Sequence, residues 1–253
     1  MNAASLVVRS VVVGDELVAM KAWTTDVEAW PAGSHRWGQY EERTAQGDAI
    51  CRTENVSACH PGFAAMARGP VAAVASAALG VEVTGFKDKI NYKQPGGAGF
   101  SPHQDLAAYP GASSVMSILV AIDECSTTSG CIWFASGVDQ LLPTDDRGVV
   151  VADVVASLPW SPAELAPGDA LCISGLTPHY SEANKSSASR RVLVASYAPR
   201  RDGYTREQYY WARGQEMERA SGQDEQFRIS TLADFEGIEV RSDSTGIDAA
   251  CWH

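Results

Sequence analysis

The sequence is short of the features that mark nucleic-acid-binding, membrane-spanning and exported proteins. Its 20 basic residues are outnumbered by 31 acidic ones, so the net charge is −11; this argues against a nucleic-acid partner, which calls for a basic face. No apolar run approaches the ~20 residues of a membrane-spanning helix, and no basic leader precedes the first apolar patch. We therefore expect a cytoplasmic protein that binds neither nucleic acid nor a membrane.

Cysteine and histidine are also sparse. The six cysteines contain no C-x-x-C pair, and in a reducing compartment such residues are most simply buried, small and apolar. A zinc site made by Cys59, His60 and a distant third ligand is the alternative. Any histidine-based metal site has five residues to choose from: His35, His60, His103, His179 and His253.

What the chain does contain is a series of short apolar runs between two helical ends. Residues 14–30 have an amphipathic helical pattern, the alanine-rich residues 62–80 predict a helix ending at Gly80, and residues 205–222 are again typical of a helix. The runs between them predict strands: VEVTGFKDKINYK, SVMSILVAID, CIWFAS, GVVVADVVASL, DALCISG and RRVLVASYAP.

Many short strands in succession favour an antiparallel sandwich or barrel. Without a repeat, a low-complexity tract or a linker, we expect one domain over residues 1–253. Helices would occupy about 1–80, the β core about 81–200 and a helical tail about 201–253. No pattern in the chain favours a particular oligomeric state.

The stretch FSPHQD contains the first candidate metal ligands, His103 and Asp105. Residues i and i+2 of an extended strand point the same way, so these two side chains can hold one ion together. A ferrous site of the two-histidine, one-carboxylate kind needs one more histidine. His179 follows an apolar strand and suits this place, whereas His35 lies in a polar loop and His253 is terminal.

An iron site of this kind needs a co-substrate that supplies two electrons to oxygen, and a 2-oxo acid can do so by oxidative decarboxylation. Its far carboxylate needs a cation in the barrel wall, and an arginine provides a planar fork of matching shape. Arg190 and Arg191 open the strand after His179; one must point inward and the other outward. Ser181 can add a hydroxyl to the same carboxylate.

Three motifs in this order, PGGAGFSPHQD, SGCIWFASG and GDALCISGLTPHYSEANKSSASRR, resemble those of the phytanoyl-CoA dioxygenase family of iron(II)/2-oxoglutarate oxygenases. The resemblance covers about residues 50–200 and implies a double-stranded β-helix, or jelly roll, with helices packed outside. It implies His103, Asp105 and His179 as iron ligands, and Arg190 and Ser181 as 2-oxoglutarate ligands. It also implies use of O2, with ascorbate as the reductant in vitro. Because Asp105 is present, hydroxylation is expected and not halogenation.

The stretches CRTENVSACHPGF and GFKDKINYKQPGGAGF resemble a subgroup that includes the 2-aminoethylphosphonate dioxygenases. Lys87, Lys89, Asn91 and Lys93 share one face of a strand. If that face looks into the barrel, Lys89 and Asn91 in particular can hold 2-oxoglutarate or an anionic substrate. The alternative is the solvent face of an edge strand, where lysines are common.

Five further residues are candidate substrate contacts. Arg52 can meet a phosphonate and Glu54 an amine, with Asn55 beside them; the alternative is a surface ion pair. Tyr109 follows the iron motif and can lie over the site, although core packing explains it equally well. Trp133 lies on a strand that borders the pocket in such folds, although such a residue is more often part of the core.

The residues therefore indicate a dioxygenase that hydroxylates a C–H bond of a small, polar, anionic molecule such as an amino- or hydroxyalkylphosphonate. Two alternatives stay open. One is a hydroxylase of an amino acid or of a natural-product intermediate. The other is a jelly-roll metal-binding protein that is not an oxygenase.

Overall fold

The computed structural model describes residues 6–32, 34, 36–221, 229, 230, 232 and 234–240. The helices in these ranges are α1 (Gly14–Glu28), α2 (Val56–Cys59), α3 (Pro61–Arg68), α4 (Pro70–Leu79), α5 (Ala152–Ser157) and α6 (Arg206–Ser221). The strands are β1 (Leu6–Val8), β2 (Gly38–Thr44), β3 (Gly47–Glu54), β4 (Val83–Lys93), β5 (Phe100–His103), β6 (Met116–Ala121), β7 (Ile132–Ala135), β8 (Trp160–Ala163), β9 (Ala170–Ser174), β10 (His179–Ser181), β11 (Arg190–Pro199) and β12 (Ile238–Val240).

These strands form two antiparallel sheets. The large sheet has the order β1-β9-β6-β11-β4-β3-β2-β12, and the small sheet has the order β5-β10-β7-β8. Because β4 lies between β11 and β3, it is an internal strand and not an edge strand. The predicted β-rich jelly roll with helices outside it is confirmed.

Alternation along the central strands separates two cores. On β6, Ile118 and Val120 face α1, α3 and α4, whereas Leu119 belongs to the core on the other face of the sheet, toward the small sheet. On β11, Leu193 belongs to the outer core and Val194 to the inner one. This follows from the pleat, which sends successive side chains to opposite faces. Each large apolar side chain that is fully buried contributes roughly 1.5–3 kcal/mol.

The predicted helix over 62–80 is two helices, because Pro70 interrupts the chain after Gly69 and begins α4. Gly80 ends α4 with φ +69°, the left-handed conformation that favours glycine. By length and composition alone, residues 61–79 would be able to cross a membrane, whereas no such run was predicted from the sequence. Their buried side chains, among them Phe63 and Val71, pack in the outer core.

Two other sequence predictions are corrected. The first 80 residues contain β1, β2 and β3 beside the helices. The charged run EERTAQGDA forms the turn end of the β2–β3 hairpin and is mostly exposed, which is why its sequence does not predict strands. Residues 148–158 were expected to form a strand but contain α5. Val149 and Val150 are buried, but no side chain of α5 is. The strand that pairs with β7 here is β8.

Candidate active site

Two neighbouring strands of the small sheet bring the predicted metal ligands together. His103 at the end of β5 is the direct antiparallel partner of His179 at the start of β10, and Asp105 begins a short 3-10 helix just after β5. Their ligand atoms all lie within 4.8 Å of one another, and the two imidazole rings are 4.2 Å apart. Two histidines and one carboxylate, all at one point, are a suitable donor set for a mononuclear iron(II) ion.

Backbone carbonyls orient both histidines. The Nδ1 atom of His103 lies 2.8 Å from the Ser101 carbonyl oxygen, and that of His179 lies 3.0 Å from the Thr177 carbonyl oxygen. A carbonyl accepts from N–H, so these contacts keep the proton on Nδ1 and leave Nε2 unprotonated for a metal. His103 has a second neighbour on the same side, because Asp234 Oδ2 is 2.9 Å from its Nδ1.

The third ligand is oriented by a hydroxyl chain. Ser117 donates to Asp105 Oδ2 at 2.9 Å, and Ser117 and Ser196 are joined at 3.0 Å. The other carboxylate oxygen, Oδ1, lies 3.9 Å from His103 Nε2, on the side where the metal would be. One oxygen of the carboxylate is thus held by the protein while the other remains for the ion.

The charges in the site oppose one another. Burial lowers the pKa of His179 to about 4, with the nearby His103 acting in the same direction. Burial also acts to lower the pKa of His103, but Asp234 outweighs it and raises the pKa to about 9. Burial tends to raise the pKa of Asp105, yet the two histidines and nearby lysines hold it below its ordinary value. Metal binding needs an ionised carboxylate and neutral imidazoles, so a divalent cation would have to displace the second proton of His103.

Within the described ranges, this is the one group of three or more potential ligands. The alternative zinc site lacks a third ligand there, and the Nδ1 atom of His60 instead accepts from the backbone N–H of Gly62 at 3.2 Å, at the start of α3. His35 and His253 lie outside the described residues. The predicted structural role of the cysteines agrees with the burial of Cys51, Cys125, Cys131 and Cys172.

Next to the metal ligands is a buried cavity that contains Arg190. As the pattern RR predicted, the two arginines point to opposite faces: Arg190 is 4% exposed and lines this cavity, whereas Arg191 pairs with Asp123 on the outer face, Nε to Oδ2 at 2.7 Å. The Arg190 Nη2 group donates to the Gly130 carbonyl, and its Nε has no hydrogen-bond partner among the described residues. A buried guanidinium with an unused donor calls for an anion.

Lys93 and Ser181 complete the same cavity. Lys93 Nζ donates to Ser181 Oγ at 2.8 Å, and burial followed by the charge of Arg190 holds the pKa of Lys93 well below its ordinary value. Gly130 lies against this group with φ +73°, and a Cβ atom there would come within 2.9 Å of Lys93 Cδ. Two buried cations and a hydroxyl therefore fit the far carboxylate of a 2-oxo acid.

A larger cavity contains the metal ligands, with about 660 Å³ of empty space including open solvent. The side chains of β4 reach it from the large sheet, so the inward alternative for that strand is the one observed. Asn91 and Ser181 line both cavities, which are therefore adjacent. The larger cavity is lined by Arg52, Lys87, Lys89, Asn91, Phe100, His103, Asp105, Ala108, Tyr109, Ser117, Leu119, Ile132, Ile173, His179, Tyr180, Ser181, Val194, Ser230, Leu232 and Asp234.

Three of these lining residues are cations. Arg52 donates from Nε to Asn91 Oδ1 at 3.2 Å and from Nη1 to the Ile229 carbonyl. Lys87 Nζ lies 3.2 Å from the hydroxyl of Tyr109. Burial, and then the charges of Arg52 and Lys87, hold the pKa of Lys89 well below its ordinary value. Three cations at one cavity repel one another, so a bound anion would stabilise all of them.

The structure separates three other candidates from the cavity. Glu54 is 1% exposed and does not line it; its Oε1 is 3.4 Å from Arg52 Nη1. Asn55 is buried and is held by the Arg36 carbonyl and by Arg206. Trp133 is not among the lining residues and lies parallel to Tyr180, with ring centres 6.1 Å apart.

The sequence did not predict two residues of the site, Ser117 and Asp234, and it predicted Lys87 and Lys93 only as members of the strand face that carries Lys89 and Asn91. Lys87 and Lys93 follow the same i, i+2 period as Lys89, so that period was a usable signal for them. Ser117 is the polar residue of the otherwise apolar strand β6, and its contact with Asp105 becomes evident only from the packing of the sheet. Asp234 lies in a tail without any periodic pattern, and no sequence signal points to it.

A jelly roll whose inner face presents two histidines and a carboxylate beside a buried arginine defines a non-haem dioxygenase that depends on iron(II) and 2-oxoglutarate. The chain belongs to the phytanoyl-CoA dioxygenase (PhyH) family, whose model matches residues 5–192. The resemblance seen in the sequence is thereby confirmed.

Two relatives are similar over most of their length. A methylphosphonate hydroxylase from Gimesia maris is 32% identical over 224 residues, covering 86% of this chain and 85% of the relative. A 2-aminoethylphosphonate dioxygenase from an uncultured bacterium is 33% identical over 216 residues, covering 81% of this chain and 82% of the relative.

Solved structures share the fold at lower identity. The epimerase SnoN from nogalamycin biosynthesis, solved with Fe3+, α-ketoglutarate and nogalamycin RO, has a TM-score of 0.65 at 19% identity, covering 77% of this chain and 78% of SnoN. EctD from S. alaskensis, solved with 2-oxoglutarate and 5-hydroxyectoine, has a TM-score of 0.64 at 18% identity, covering 77% and 72%.

Proposed function

We propose that this enzyme hydroxylates a carbon atom of a small alkylphosphonate. The observation that carries the proposal is the group of three cations, Arg52, Lys87 and Lys89, around the cavity that contains the metal ligands. The cation group supports an anionic substrate, and the two relatives named above support a phosphonate as that anion.

The protein's own residues would divide the work as follows. His103, Asp105 and His179 would hold iron(II), while Arg190 and Ser181 would bind the far carboxylate of 2-oxoglutarate. When bound, the two groups supply the oxidising chemistry: O2 and 2-oxoglutarate become succinate and CO2 as a C–H bond becomes C–OH. Apolar lining residues would keep water from the reacting carbon.

The lining residues shared by the two cavities support this division. Asn91 and Ser181 line both of them, so a molecule anchored at Arg190 can extend past Asn91 toward the metal ligands. Lys89, on the same strand face as Asn91, would then meet either the near end of 2-oxoglutarate or the phosphonate. Arg52, Lys87 and the Tyr109 hydroxyl would bind the phosphonate oxygens.

The charges of the cavity also favour a particular kind of phosphonate. A phosphonate carries up to two negative charges at neutral pH and so matches several cations. The described carboxylates that line the cavity are Asp105, a metal ligand, and Asp234, which is held on His103. Since Glu54 lies outside the lining, the described part of the cavity offers an ammonium group no free carboxylate, which favours substrates without an amine.

Succinate release under iron(II), ascorbate, O2 and 2-oxoglutarate tests the proposal. The panel pairs methylphosphonate and 2-aminoethylphosphonate with their carboxylate counterparts, acetate and β-alanine, and adds free amino acids. We expect a phosphonate, methylphosphonate first, to stimulate succinate release well above its carboxylate counterpart. Stimulation by an amino acid alone would replace the phosphonate by the alternative substrate class. Iron binding without any 2-oxoglutarate turnover would leave a metal-binding jelly roll.

A matched pair of variants assigns the substrate role within this assay. Arg52→Gln should raise the KM for the phosphonate by about tenfold or more, the loss of one charge-assisted contact, and leave the KM for 2-oxoglutarate unchanged. Arg43→Gln, which removes an exposed arginine paired with Asp48, is the control and should change neither. We place the reaction in the cytoplasm, with a small molecule as the enzyme's partner.

A further inference from the structure

The two histidines of the metal site have different surroundings. A single backbone carbonyl, that of Thr177, lies at the Nδ1 atom of His179. His103 has a comparable carbonyl, from Ser101 at 2.8 Å, and in addition the Asp234 carboxylate at 2.9 Å. The carbonyl alone is enough to keep the proton on Nδ1, as it does for His179. What Asp234 adds is therefore not the choice of tautomer but a negative charge behind the imidazole.

The Asp234 side chain is held in place by its own segment. It is 1% exposed, and its backbone carbonyl accepts from the Ser101 N–H at 2.7 Å. On the next two residues, Phe235 packs on Phe100 with ring centres 5.1 Å apart, and the Glu236 N–H donates to the Gly99 carbonyl at 3.1 Å. The segment thus runs along β5, the strand that ends in His103.

The same segment closes one side of the active-site cavity. Ser230, Leu232 and Asp234 line it, and the Ile229 carbonyl accepts from Arg52. After Asp234 the chain continues into β12, which pairs with β2 at the edge of the large sheet. The described residues on both sides of Asp234 are thus held by contacts with the rest of the protein.

We propose that Asp234 is a positioning residue for the metal site, whose carboxylate makes His103 a stronger ligand and fixes the orientation of its ring. A carboxylate that accepts from the far nitrogen of a metal-bound histidine increases the electron density at the coordinating nitrogen, and loss of such a partner typically weakens metal binding 10–100-fold. The inference rests on the proposed ligand role of His103 and does not depend on the substrate.

Metal affinity, measured without turnover, tests the inference. Anaerobic calorimetric titration of the full-length apoprotein with iron(II), and with cobalt(II) as an oxygen-stable probe, gives the dissociation constant. Asp234→Asn keeps the shape and an acceptor but removes the charge, and Asp234→Ala removes both. We expect a 10–100-fold weaker dissociation constant for Asp234→Asn and a larger loss for Asp234→Ala, with a changed visible spectrum of the cobalt(II) complex.

The chain offers a matched control in the same segment. Glu236 also carries a carboxylate that bonds to the strand bearing His103, through Ser101 Oγ at 2.9 Å, but it does not contact His103. Glu236→Gln removes the same charge two residues away and should bind the metal within twofold of the unmodified protein. Equal losses of metal affinity in Asp234→Asn and Glu236→Gln would mean that the segment only covers the cavity and that the Asp234 carboxylate has no specific effect on His103. That result would overturn the inference.

A third variant separates this inference from the site assignment. His103→Ala should abolish stoichiometric metal binding. If it does so while Asp234→Asn, still folded by circular dichroism, binds iron(II) as the unmodified protein does, the inference is wrong and the metal site stands. If His103→Ala binds iron(II) normally, the ligand assignment and the inference both fail. Should Asp234→Ala not fold, the isosteric Asp234→Asn decides the question alone.

Discussion

Replacing Arg190 by methionine should separate co-substrate binding from protein stability. Arg190 is 4% exposed and donates to the Gly130 backbone carbonyl, while its Nε has no hydrogen-bond partner in the part of the chain that the structure describes. The charge of Lys93 repels it, and burial lowers the pKa of the guanidinium itself. In the absence of an anion this cation costs free energy, so its removal should leave the stability of the apoprotein unchanged or slightly raised.

The expected loss falls on 2-oxoglutarate. A charge-assisted contact to a buried carboxylate is worth up to ~3 kcal/mol, and each ~1.4 kcal/mol is a factor of ten, so Arg190→Met should weaken 2-oxoglutarate about 10²-fold. Anaerobic titration of the iron(II)-loaded protein with 2-oxoglutarate measures this, and thermal unfolding without ligand measures stability.

The neighbouring arginine is the matched control. Arg191→Met removes the same group from the outer face, where it pairs with Asp123 and, at 3.5 Å, with Glu28. It should cost about 1 kcal/mol of stability, as a partly exposed ion pair does, and leave 2-oxoglutarate binding intact. Unchanged binding in Arg190→Met, or a larger loss in Arg191→Met, would refute the reasoning and move the anchor to Arg191 or to a lysine.

Three further predictions concern charge. Binding of the phosphonate should take up protons at pH values between the lowered pKa of Lys89 and its ordinary value, because a bound anion raises that pKa again; calorimetry in buffers of different ionisation enthalpy measures the uptake, and Lys89→Met should reduce it. Arg206→Gln should lower the free energy of unfolding in urea by about 3 kcal/mol, because it leaves the buried carboxylate of Asp88 without its cation; a loss under 1 kcal/mol would contradict this. Burial tends to raise the pKa of Asp169, yet hydrogen bonds and Arg9 hold it below its ordinary 3.8. The unfolded chain therefore binds more protons, and stability should fall as pH decreases through about 4. Asp169→Asn should flatten that fall in a series of melting temperatures.

The spacing of residues along the chain predicted much of the arrangement of the site. The i, i+2 rule joined His103 to Asp105, and adjacency alone required Arg190 and Arg191 to face opposite ways, because successive residues of a strand alternate. The same rule placed the lysines of β4 on one face. These are local relations, and a sequence states local relations directly. The functional role of each of these residues is still a prediction.

Local rules were less successful where a segment's neighbours decide its state. The valine-rich residues 148–158 favour a strand by propensity, but β7 takes β8 as its partner and leaves α5 without a strand to pair with. The polar hairpin of β2 and β3 was missed for the converse reason. The hairpin extends the large sheet beside β4. Its charged residues form strands because the sheet provides their hydrogen-bond partners.

By itself, then, the sequence determined the β-rich core, its helical flanks, the family and the set of residues from which iron and 2-oxoglutarate ligands can come. Only the tertiary structure decided which face of β4 looks inward, that Glu54 lies behind Arg52 and outside the cavity, and that Asp234 reaches His103. The physical reason is that a strand's pattern states which side chains share a face, whereas the sheet packed against that face decides whether it meets solvent, core or an active site.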